Sequence, residues 1–255
     1  MSNSARLDAA LTAAAAAAEI IRNSYRRNIG VRLKADRSPV TEADVAAEAA
    51  IRKVLQGQFP HDGFYGEESA AERMDADCLW LVDPIDGTKS FIREYPMFST
   101  QIALMQRGHL ELGVSSAPVY GEIAWAERGQ GAWLDGIRLA VSRIGRFEDA
   151  TISTGNLKAL AAGPRWSALG RMITRLDRIR GFGDFLHYHL LAAGKIEAVI
   201  ESNIHILDIG ALTVIVEEAG GRVTDLEGAP LSLASTSILA SNGMLHEPIL
   251  EEFRR

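Results

Sequence analysis

Residues 79–91, LWLVDPIDGTKSF, decide the fold, because they join an apolar strand to two acids. The apolar residues 79–82 predict a short buried strand, and we expect it to end at Asp83-Pro84 since proline cannot extend a central ladder. A second acid, Asp86, lies three residues after the first. The end of the predicted strand therefore carries two carboxylates.

The turn after this strand adds groups that suit a phosphate. Gly87 permits a turn or a close backbone approach, and Thr88 supplies a hydroxyl at a position typical of a helix start. Carboxylates suit a hard cation such as Mg²⁺, and free N–H groups at a helix N-terminus suit a phosphate. One turn with both kinds of group is what a metal-dependent phosphatase needs. The alternative is an ordinary Asp-Pro, Asp-Gly turn, and these residues alone leave both interpretations open.

Composition indicates a globular protein of one large domain or two small ones. The chain has 255 residues, of which 47% are hydrophobic and 24% charged. The net charge of −6 makes a nucleic-acid backbone an unfavourable main partner. Cys78 is the single cysteine, so no internal disulfide forms, and we expect it in the core.

The N-terminus indicates a soluble, cytoplasmic protein with no membrane partner. It carries the acid Asp8 and has no basic region before an apolar block, so it does not resemble a signal peptide. The alanine-rich residues 9–18 are interrupted by Thr12 and followed by Glu19. This stretch is far shorter than the roughly 20 residues that a membrane span needs.

The predicted elements are helices first, then a β-meander, then alternating helices and strands. Ser4 should cap a long helix over residues 4–27, and Thr41 should open a second helix with Asp44 in capping-box-like spacing, after a loop over residues 34–40. A short strand at 64–69 and the strand at 79–82 come first, and the predicted meander strands are 100–105, 110–117, 122–125 and 131–134. In the second half we predict strands at 151–153, 178–181, 198–200, 222–224 and 237–239, and helices at 164–176, 184–193, 208–219 and 244–253.

This order indicates layers of sheet and helix in one compact unit. The N-terminal part, residues 1–145, would hold the metal-site motifs and the meander. The C-terminal part, residues 146–255, would be α/β and complete the active site.

Five acids stand at element boundaries rather than on helix faces: Asp44, Glu67, Asp83, Asp86 and Asp208. Each has an ordinary alternative. Asp208 could be the N-cap of its helix, Asp44 could be a first-turn acid, and Glu67 could be half of a solvated pair with Glu68.

Taken together, the motifs around these acids resemble the inositol monophosphatase family. The matching stretches cover nearly the whole chain in the right order: 41–44, 66–69, 80–91, 207–212 and 218–221. The resemblance implies an α/β (α+β) fold, the five-layer αβαβα sandwich of the inositol monophosphatase and fructose-1,6-bisphosphatase type. It also implies Mg²⁺ dependence, hydrolysis of phosphomonoesters and a homodimer.

The resemblance also implies roles for individual residues. Glu67, Asp83 and the Ile85 carbonyl would hold a first metal ion, and Asp83, Asp86 and Asp208 a second, with two or three Mg²⁺ per site. Two such ions, about 3.5–4 Å apart, clamp the phosphate and the attacking oxygen. The catalytic set would be Thr88, Asp44 and Glu67, in which the Thr88 hydroxyl, paired with Asp44, orients and deprotonates the water.

The substrate is predicted from a few residues. Lys89-Ser90-Phe91, Gly183-Asp184-Phe185 and Tyr188 resemble the histidinol-phosphatase branch of the family, which implies histidinol phosphate as the substrate and a place in histidine biosynthesis. The predicted substrate-binding residues are Asp86, Gly87, Thr88, Lys89, Asp184, Glu201 and Asp208. In that set, Asp184 and Glu201 would face the substrate amine. Alternatively, Asp184 caps its helix and Lys89 is a solvated surface charge.

Some residues depart from the family pattern or have no predicted role. Leu207 stands where the family usually has Trp, which weakens the substrate prediction. His187, His189 and His205 have no assigned role. His205, three residues before Asp208, is expected to be packed, and the alternative is that it faces the pocket. The remaining alternatives are an inositol-1-monophosphatase, a broad sugar-phosphate phosphatase, or a regulatory binding protein without catalysis, for which Asp83→Ala would leave the biological role intact.

Overall fold

A computed structural model of the chain describes residues 3–27, 30–33 and 39–255. The loop predicted over residues 34–40 lies outside the described residues at 34–38, and its last two residues belong to a strand. No helix in the described ranges is long and apolar enough to cross a membrane.

Two helices form the N-terminal layer. Helix α1, Ala5–Ser24, begins where predicted, because the Ser4 hydroxyl accepts the Leu7 N–H at 3.1 Å. It ends three residues before the predicted end at residue 27. Helix α2, Glu42–Gln58, begins with the predicted capping box at Thr41 and Asp44. The antiparallel pair β1, Val31–Leu33, and β2, Pro39–Thr41, links the helices and was not predicted.

The first sheet has seven strands in chain order. They are β3 Gly63–Gly66, β4 Cys78–Asp86, β5 Ser99–Gln106, β6 His109–Ala117, β7 Glu122–Glu127, β8 Gly131–Leu134 and β9 Ile137–Arg138. From β4 to β9 each strand pairs antiparallel with the next, which confirms the predicted meander, while β3 and β4 are parallel. Strand β9 was not predicted. Cys78 is buried in this core, as expected.

Strand β4 does not end at Pro84, so this part of the prediction was wrong. The strand runs on to Asp86, and its pairing with β5 shifts register between Asp83 and Asp86. Pro84 lies within that shift, where no ladder N–H is required, and its carbonyl accepts the Thr100 hydroxyl at 2.8 Å. In a regular strand, residues three apart point to opposite faces. The irregularity therefore allows both acids to face one site.

The second sheet has five strands in the order β11-β10-β12-β14-β13. They are β10 Thr151–Thr154, β11 Arg178–Arg180, β12 Ala198–Ser202, β13 Arg222–Thr224 and β14 Ser237–Ser241. The sheet is mixed, since β10 pairs parallel with β11 and β12, whereas β14 pairs antiparallel with β12 and β13.

Six further α-helices in the described part of the chain accompany the two sheets: α3 Thr88–Ile92, α4 Leu157–Ala162, α5 Trp166–Ile173, α6 Asp184–Ala192, α7 Ile206–Glu218 and α8 His246–Arg254. The helix predicted over residues 164–176 corresponds to the shorter α5, and α4 was not predicted.

These elements stack in five layers. Helices α1 and α2 cover one face of the seven-stranded sheet. Helices α6 and α7 fill the space between the two sheets, and α4, α5 and α8 cover the outer face of the five-stranded sheet. Helix α7 approaches β6 so closely that a Cβ on Gly113 would lie 2.3 Å from the Ala211 carbonyl oxygen. The predicted division between residues 145 and 146 stays a prediction.

Candidate functional site

A cavity of about 770 Å³ opens where the end of β4, the start of α7 and the start of α6 meet. The predicted site residues among those that line it are Glu67, Asp83, Ile85, Asp86, Gly87, Thr88, Lys89, Asp184 and Asp208. A smaller cavity of about 100 Å³ adjoins it, and Glu201 lines this second space together with Asp86, Asp184 and Asp208. Residues more than 100 positions apart therefore surround one space.

Three carboxylates form a compact cluster beside the cavity. One oxygen each from Asp83, Asp86 and Asp208 lies within 4.8 Å of the others. Two of these residues come from β4 and the third from the first turn of α7. The register shift of β4 and the packing of α7 between the sheets create this convergence.

The cluster has the electrostatics of a cation site. Burial raises the pKa of Asp83 well above its usual value, and the charges of Glu67, Asp86 and Asp208 raise it further. Burial likewise raises the pKa of Asp86, and it raises that of Asp208 to about 7. Like charges held together in this way become stable in their ionised form when a cation lies between them. An all-oxygen donor set fits a hard divalent cation such as Mg²⁺.

Glu67 extends this acidic site toward solvent. Its backbone N–H donates to the Val82 carbonyl at 3.1 Å, which holds the segment after β3 against β4. Its side chain is exposed, and a hydrogen bond joins it to Asp83. The segment is also tied to α2, because the Glu48 carboxylate accepts the Glu68 N–H at 2.7 Å.

The turn between β4 and α3 depends on a glycine. Gly87 has a φ of 92°, and a Cβ there would lie 2.7 Å from the Met97 carbonyl oxygen. Only glycine combines this backbone conformation with so close an approach. The turn brings Gly87, Thr88 and Lys89 to the cavity wall, where the Lys89 side chain is exposed.

Thr88 lies at the centre of a small hydrogen-bond network. Its hydroxyl oxygen is 3.2 Å from Asp44 Oδ1 and 3.1 Å from the Ile85 carbonyl oxygen. The other Asp44 oxygen accepts the Thr41 N–H at 2.9 Å. Burial raises the pKa of Asp44, and the hydrogen bonds from Thr41 and Thr88 oppose that increase. Asp44 is therefore both a capping residue and a partner of Thr88, so the two interpretations of this acid are compatible.

Helix α7 begins two residues before the predicted start at Asp208. Its N-cap is His205, and Asp208 occupies the third helical position, where its carboxylate accepts the His205 N–H at 2.8 Å. The alternative interpretation of Asp208 as the N-cap is therefore wrong. The residue supplies the reciprocal half of a capping box.

Two aromatic side chains, Tyr65 and His205, line the cavity without a predicted role, although a pocket-facing His205 was the alternative interpretation. The Tyr65 hydroxyl lies 3.1 Å from His205 Nε2, and the two rings meet edge to face. His205 is exposed, so the expectation of a packed histidine was wrong. Each residue is close in sequence to a predicted acid, and that proximity was the available signal. Leu207, at the position of the usual Trp, also lines the cavity.

Two asparagines were missed as well: both line the larger cavity, and Asn156 also lines the smaller one. Asn156 and Asn203 have positive φ angles of 47° and 58°, a conformation that Asn tolerates better than most residues. The Asn156 amide donates to the Asn203 carbonyl at 3.2 Å. Positive φ is a property of the folded backbone, so the sequence offered no clear signal.

Asp184 does not cap its helix, so that alternative interpretation was also wrong. The N-cap of α6 is Gly183, and no side chain caps this end. Asp184 has a φ of 45° and lines both cavities. Burial raises its pKa to about 6.

Comparison with known proteins agrees with this geometry. The sequence profile of the inositol monophosphatase family matches residues 2–255. The histidinol-phosphatase of Mycobacterium tuberculosis is 39% identical over 223 residues, which cover 85% of each chain. A fructose-1,6-bisphosphatase/inositol-1-monophosphatase of Thermotoga maritima is 35% identical over 213 residues, which cover 83% of this chain and 81% of the other.

A solved structure gives the same result for the fold. The extragenic suppressor protein suhB from Bartonella henselae superposes with a TM-score of 0.91 at 33% identity, covering 99% of each chain. The predicted fold class is thus confirmed. Because the family profile matches nearly the whole length of this chain, the chain belongs to the inositol monophosphatase family.

Proposed function

We propose that this phosphatase hydrolyses L-histidinol phosphate to L-histidinol and phosphate. The observation that carries the proposal is the acidic smaller cavity beside the carboxylate cluster. Asp184 and Glu201 line it, and none of the described residues that line it is basic. Carboxylates held beside a phosphate site favour a substrate whose organic part carries a positive charge, as the amine of histidinol does. The relative from Mycobacterium tuberculosis, named a histidinol-phosphatase, supports this choice.

In this proposal five oxygen donors would hold two or three Mg²⁺ ions: Glu67, Asp83, the Ile85 carbonyl, Asp86 and Asp208. Bound Mg²⁺ would neutralise charge on the phosphate and lower the pKa of water. The backbone N–H groups of Gly87 and Thr88 bind the phosphate, and Lys89 adds a positive charge at the cavity wall.

The proton acceptors come from the chain itself. The Thr88 hydroxyl oxygen takes a proton from the attacking water while its own hydrogen passes to Asp44 Oδ1, 3.2 Å away. The water oxygen bonds to phosphorus as the bond between phosphorus and the alcohol oxygen breaks, and the departing alcohol oxygen takes a proton from solvent. The raised pKa of Asp44 makes it a better proton acceptor at neutral pH than an exposed aspartate. Glu67, exposed at the cavity, accepts a second hydrogen bond from the water. No covalent intermediate is needed.

A second candidate is an inositol-1-monophosphatase or a broad sugar-phosphate phosphatase. Carboxylates such as Asp184 and Glu201 also accept hydrogen bonds from the hydroxyl groups of a polyol. The relative from Thermotoga maritima bears a fructose-1,6-bisphosphatase/inositol-1-monophosphatase name.

Phosphate release separates the candidates. Purified protein with Mg²⁺ is given histidinol phosphate and inositol 1-phosphate side by side, with EDTA and Asp83→Asn as controls. A strong preference for histidinol phosphate, lost on Asp184→Asn, supports the proposal. Preference for inositol phosphate, or slow hydrolysis of both, contradicts it in favour of the second candidate, and no release from either favours a regulatory binding protein.

We also propose that the protein is a homodimer. Light scattering coupled to size exclusion should then give about twice the chain mass of 27.7 kDa. A mass equal to that of one chain would refute this part.

A further inference from the structure

His187 lies buried between α6 and the five-stranded sheet and bonds at both ring nitrogens. Its Nε2 is 3.1 Å from Glu201 Oε2 on β12, and its Nδ1 is 3.1 Å from the Ser153 hydroxyl on β10. The sequence offered no role for this residue. Its contact with Glu201 joins it to the smaller cavity.

The direction of these hydrogen bonds follows from their partners. Burial raises the pKa of Glu201, but the interactions with His187 and Tyr188 outweigh burial, and the pKa is lower than usual. An ionised carboxylate only accepts, so His187 Nε2 carries a hydrogen that it donates to Glu201. The Phe182 N–H donates to the Ser153 oxygen at 3.1 Å, which holds in place the hydroxyl that contacts His187 Nδ1. These contacts orient the imidazole with Nε2 toward Glu201 and Nδ1 toward Ser153.

The two oxygens of Glu201 therefore differ. Oε2 accepts from His187 and also from the Tyr188 hydroxyl at 2.7 Å. Oε1 lies over Gly155, where a Cβ would come within 1.6 Å of it. Gly155 and Glu201 both line the smaller cavity. The glycine thus makes room for Oε1 on the cavity side, while the donors occupy Oε2.

We propose that His187, together with Tyr188, is a positioning residue for substrate recognition. By holding Oε2 of Glu201, it directs Oε1 to accept one hydrogen bond from the organic part of the substrate. The donor would be a protonated amine or a hydroxyl group. The inference rests on the proposed phosphatase function only in that Glu201 contacts the part of the substrate beyond the phosphate.

His189 provides a matched control on the same helix. It is equally buried, with its Nε2 2.9 Å from the Ser115 hydroxyl and its Nδ1 3.0 Å from Glu122 Oε2. These partners belong to the seven-stranded sheet, on the opposite side of α6 from Glu201. The two histidines therefore share burial and types of partner, and only His187 contacts the predicted substrate residue.

The test compares His187→Phe, His187→Gln and His189→Phe. Each variant is assayed for kcat and KM with histidinol phosphate and with p-nitrophenyl phosphate, which carries neither an amine nor an aliphatic hydroxyl. Thermal melting records the structural cost. Loss of one hydrogen bond to a charged group predicts that His187→Phe raises KM for histidinol phosphate about tenfold. For p-nitrophenyl phosphate KM should stay within about twofold, since that interaction is absent.

The other two variants separate positioning from general packing. His187→Gln, whose amide can donate in place of Nε2, should restore most of the affinity. His189→Phe should lower the melting temperature while leaving the selectivity between the two substrates unchanged. Equal changes of KM for both substrates, or equal selectivity changes in the two Phe variants, would overturn the inference.

A second variant and a second substrate cover the cases in which His187→Phe does not fold or histidinol phosphate is not the preferred substrate. If His187→Phe does not fold, Tyr188→Phe removes the other donor to Oε2, and an unchanged KM for histidinol phosphate in that variant would overturn the inference. If the wild type prefers inositol 1-phosphate, the proposed substrate is wrong. The same variants are then compared with that substrate, whose hydroxyl groups can also donate to Oε1.

Discussion

Replacing Asp208 with asparagine should stabilise the metal-free protein while abolishing its response to Mg²⁺. The substitution removes one negative charge from the cluster with Asp83 and Asp86. It keeps the shape of the side chain, and the asparagine oxygen can still accept the His205 N–H that opens α7. The cap is therefore retained, and the change in stability reports mainly on charge repulsion and burial.

The magnitude follows from the pKa of Asp208, which burial raises from its usual 3.8 to about 7. Between these values the folded protein holds a proton that the unfolded chain releases, so the stability of the metal-free protein falls as the pH rises through this window. The full difference between the two pKa values corresponds to about 4 kcal/mol of unfolding free energy. Because the repulsion is shared with neighbouring acids, we expect Asp208→Asn to raise the free energy of unfolding at pH 8 by about 2 kcal/mol. For a chain of this size, that corresponds to an increase of about 4–8 °C in melting temperature.

Thermal melting in EDTA at pH 5 and pH 8, with and without added Mg²⁺, provides the assay. Asp225→Asn is the matched control, since Asp225 also accepts backbone N–H groups, those of Glu227 and Ala229, at 2.9 and 2.8 Å. Wild type should melt lower at pH 8 than Asp208→Asn and gain stability with Mg²⁺, which the variant should not. If Asp208→Asn melts at or below the wild-type temperature at pH 8 in EDTA, the electrostatic account of the cluster is wrong.

Three further predictions follow from individual contacts. Thr88→Val should lower kcat by about 100-fold or more at an unchanged melting temperature, whereas Thr88→Ser should keep most of the activity, because proton transfer needs the hydroxyl. Gly87→Ala should destabilise the protein by more than about 2 kcal/mol in urea unfolding, since the Cβ would meet the Met97 carbonyl oxygen. Gly121→Ala, with the same φ of 92° and nothing within 4 Å, should cost less, and equal losses would contradict this account. His246 has a pKa lowered to about 4 by burial, so the unfolded chain binds its proton first and stability falls as the pH drops from about 6.5 to 4. His246→Gln should reduce this loss of unfolding free energy by about 2 kcal/mol. This is less than the full pKa shift implies, because solvent screens the charged neighbours of His246. Urea midpoints at pH 7 and pH 4.5 measure the loss in both proteins.

Local features of the chain were predictable because their physical causes lie within a few residues. Ser4 and Thr41 cap their helices with their own hydroxyl groups, and the Asp44 carboxylate accepts the Thr41 N–H. The meander followed from strands separated by short glycine-containing turns. Errors occurred where a longer-range contact overrode the local preference. Pro84, a strand breaker by its sequence, lies within a register shift that the pairing with β5 sets.

The family motifs predicted which acids form the site, but they did not predict how the fold brings these acids together. Asp83 and Asp86 converge because β4 shifts register, and Asp208 joins them because α7 packs between two sheets. Nothing in the sequence around His205 indicated its contact with Tyr65, 140 residues away. The orientation of His187 toward Glu201 likewise depends on the position of α6 between the sheets.

The sequence by itself thus determined the types and order of most of the elements, most of the helix starts and the set of acidic residues. Those properties depend on local hydrogen bonding, periodicity and residue chemistry. Only the tertiary structure decided which side chains share a cavity and which oxygen of Glu201 is left for a ligand. These properties depend on the packing of two sheets around α6 and α7, which brings together residues that are far apart in the chain.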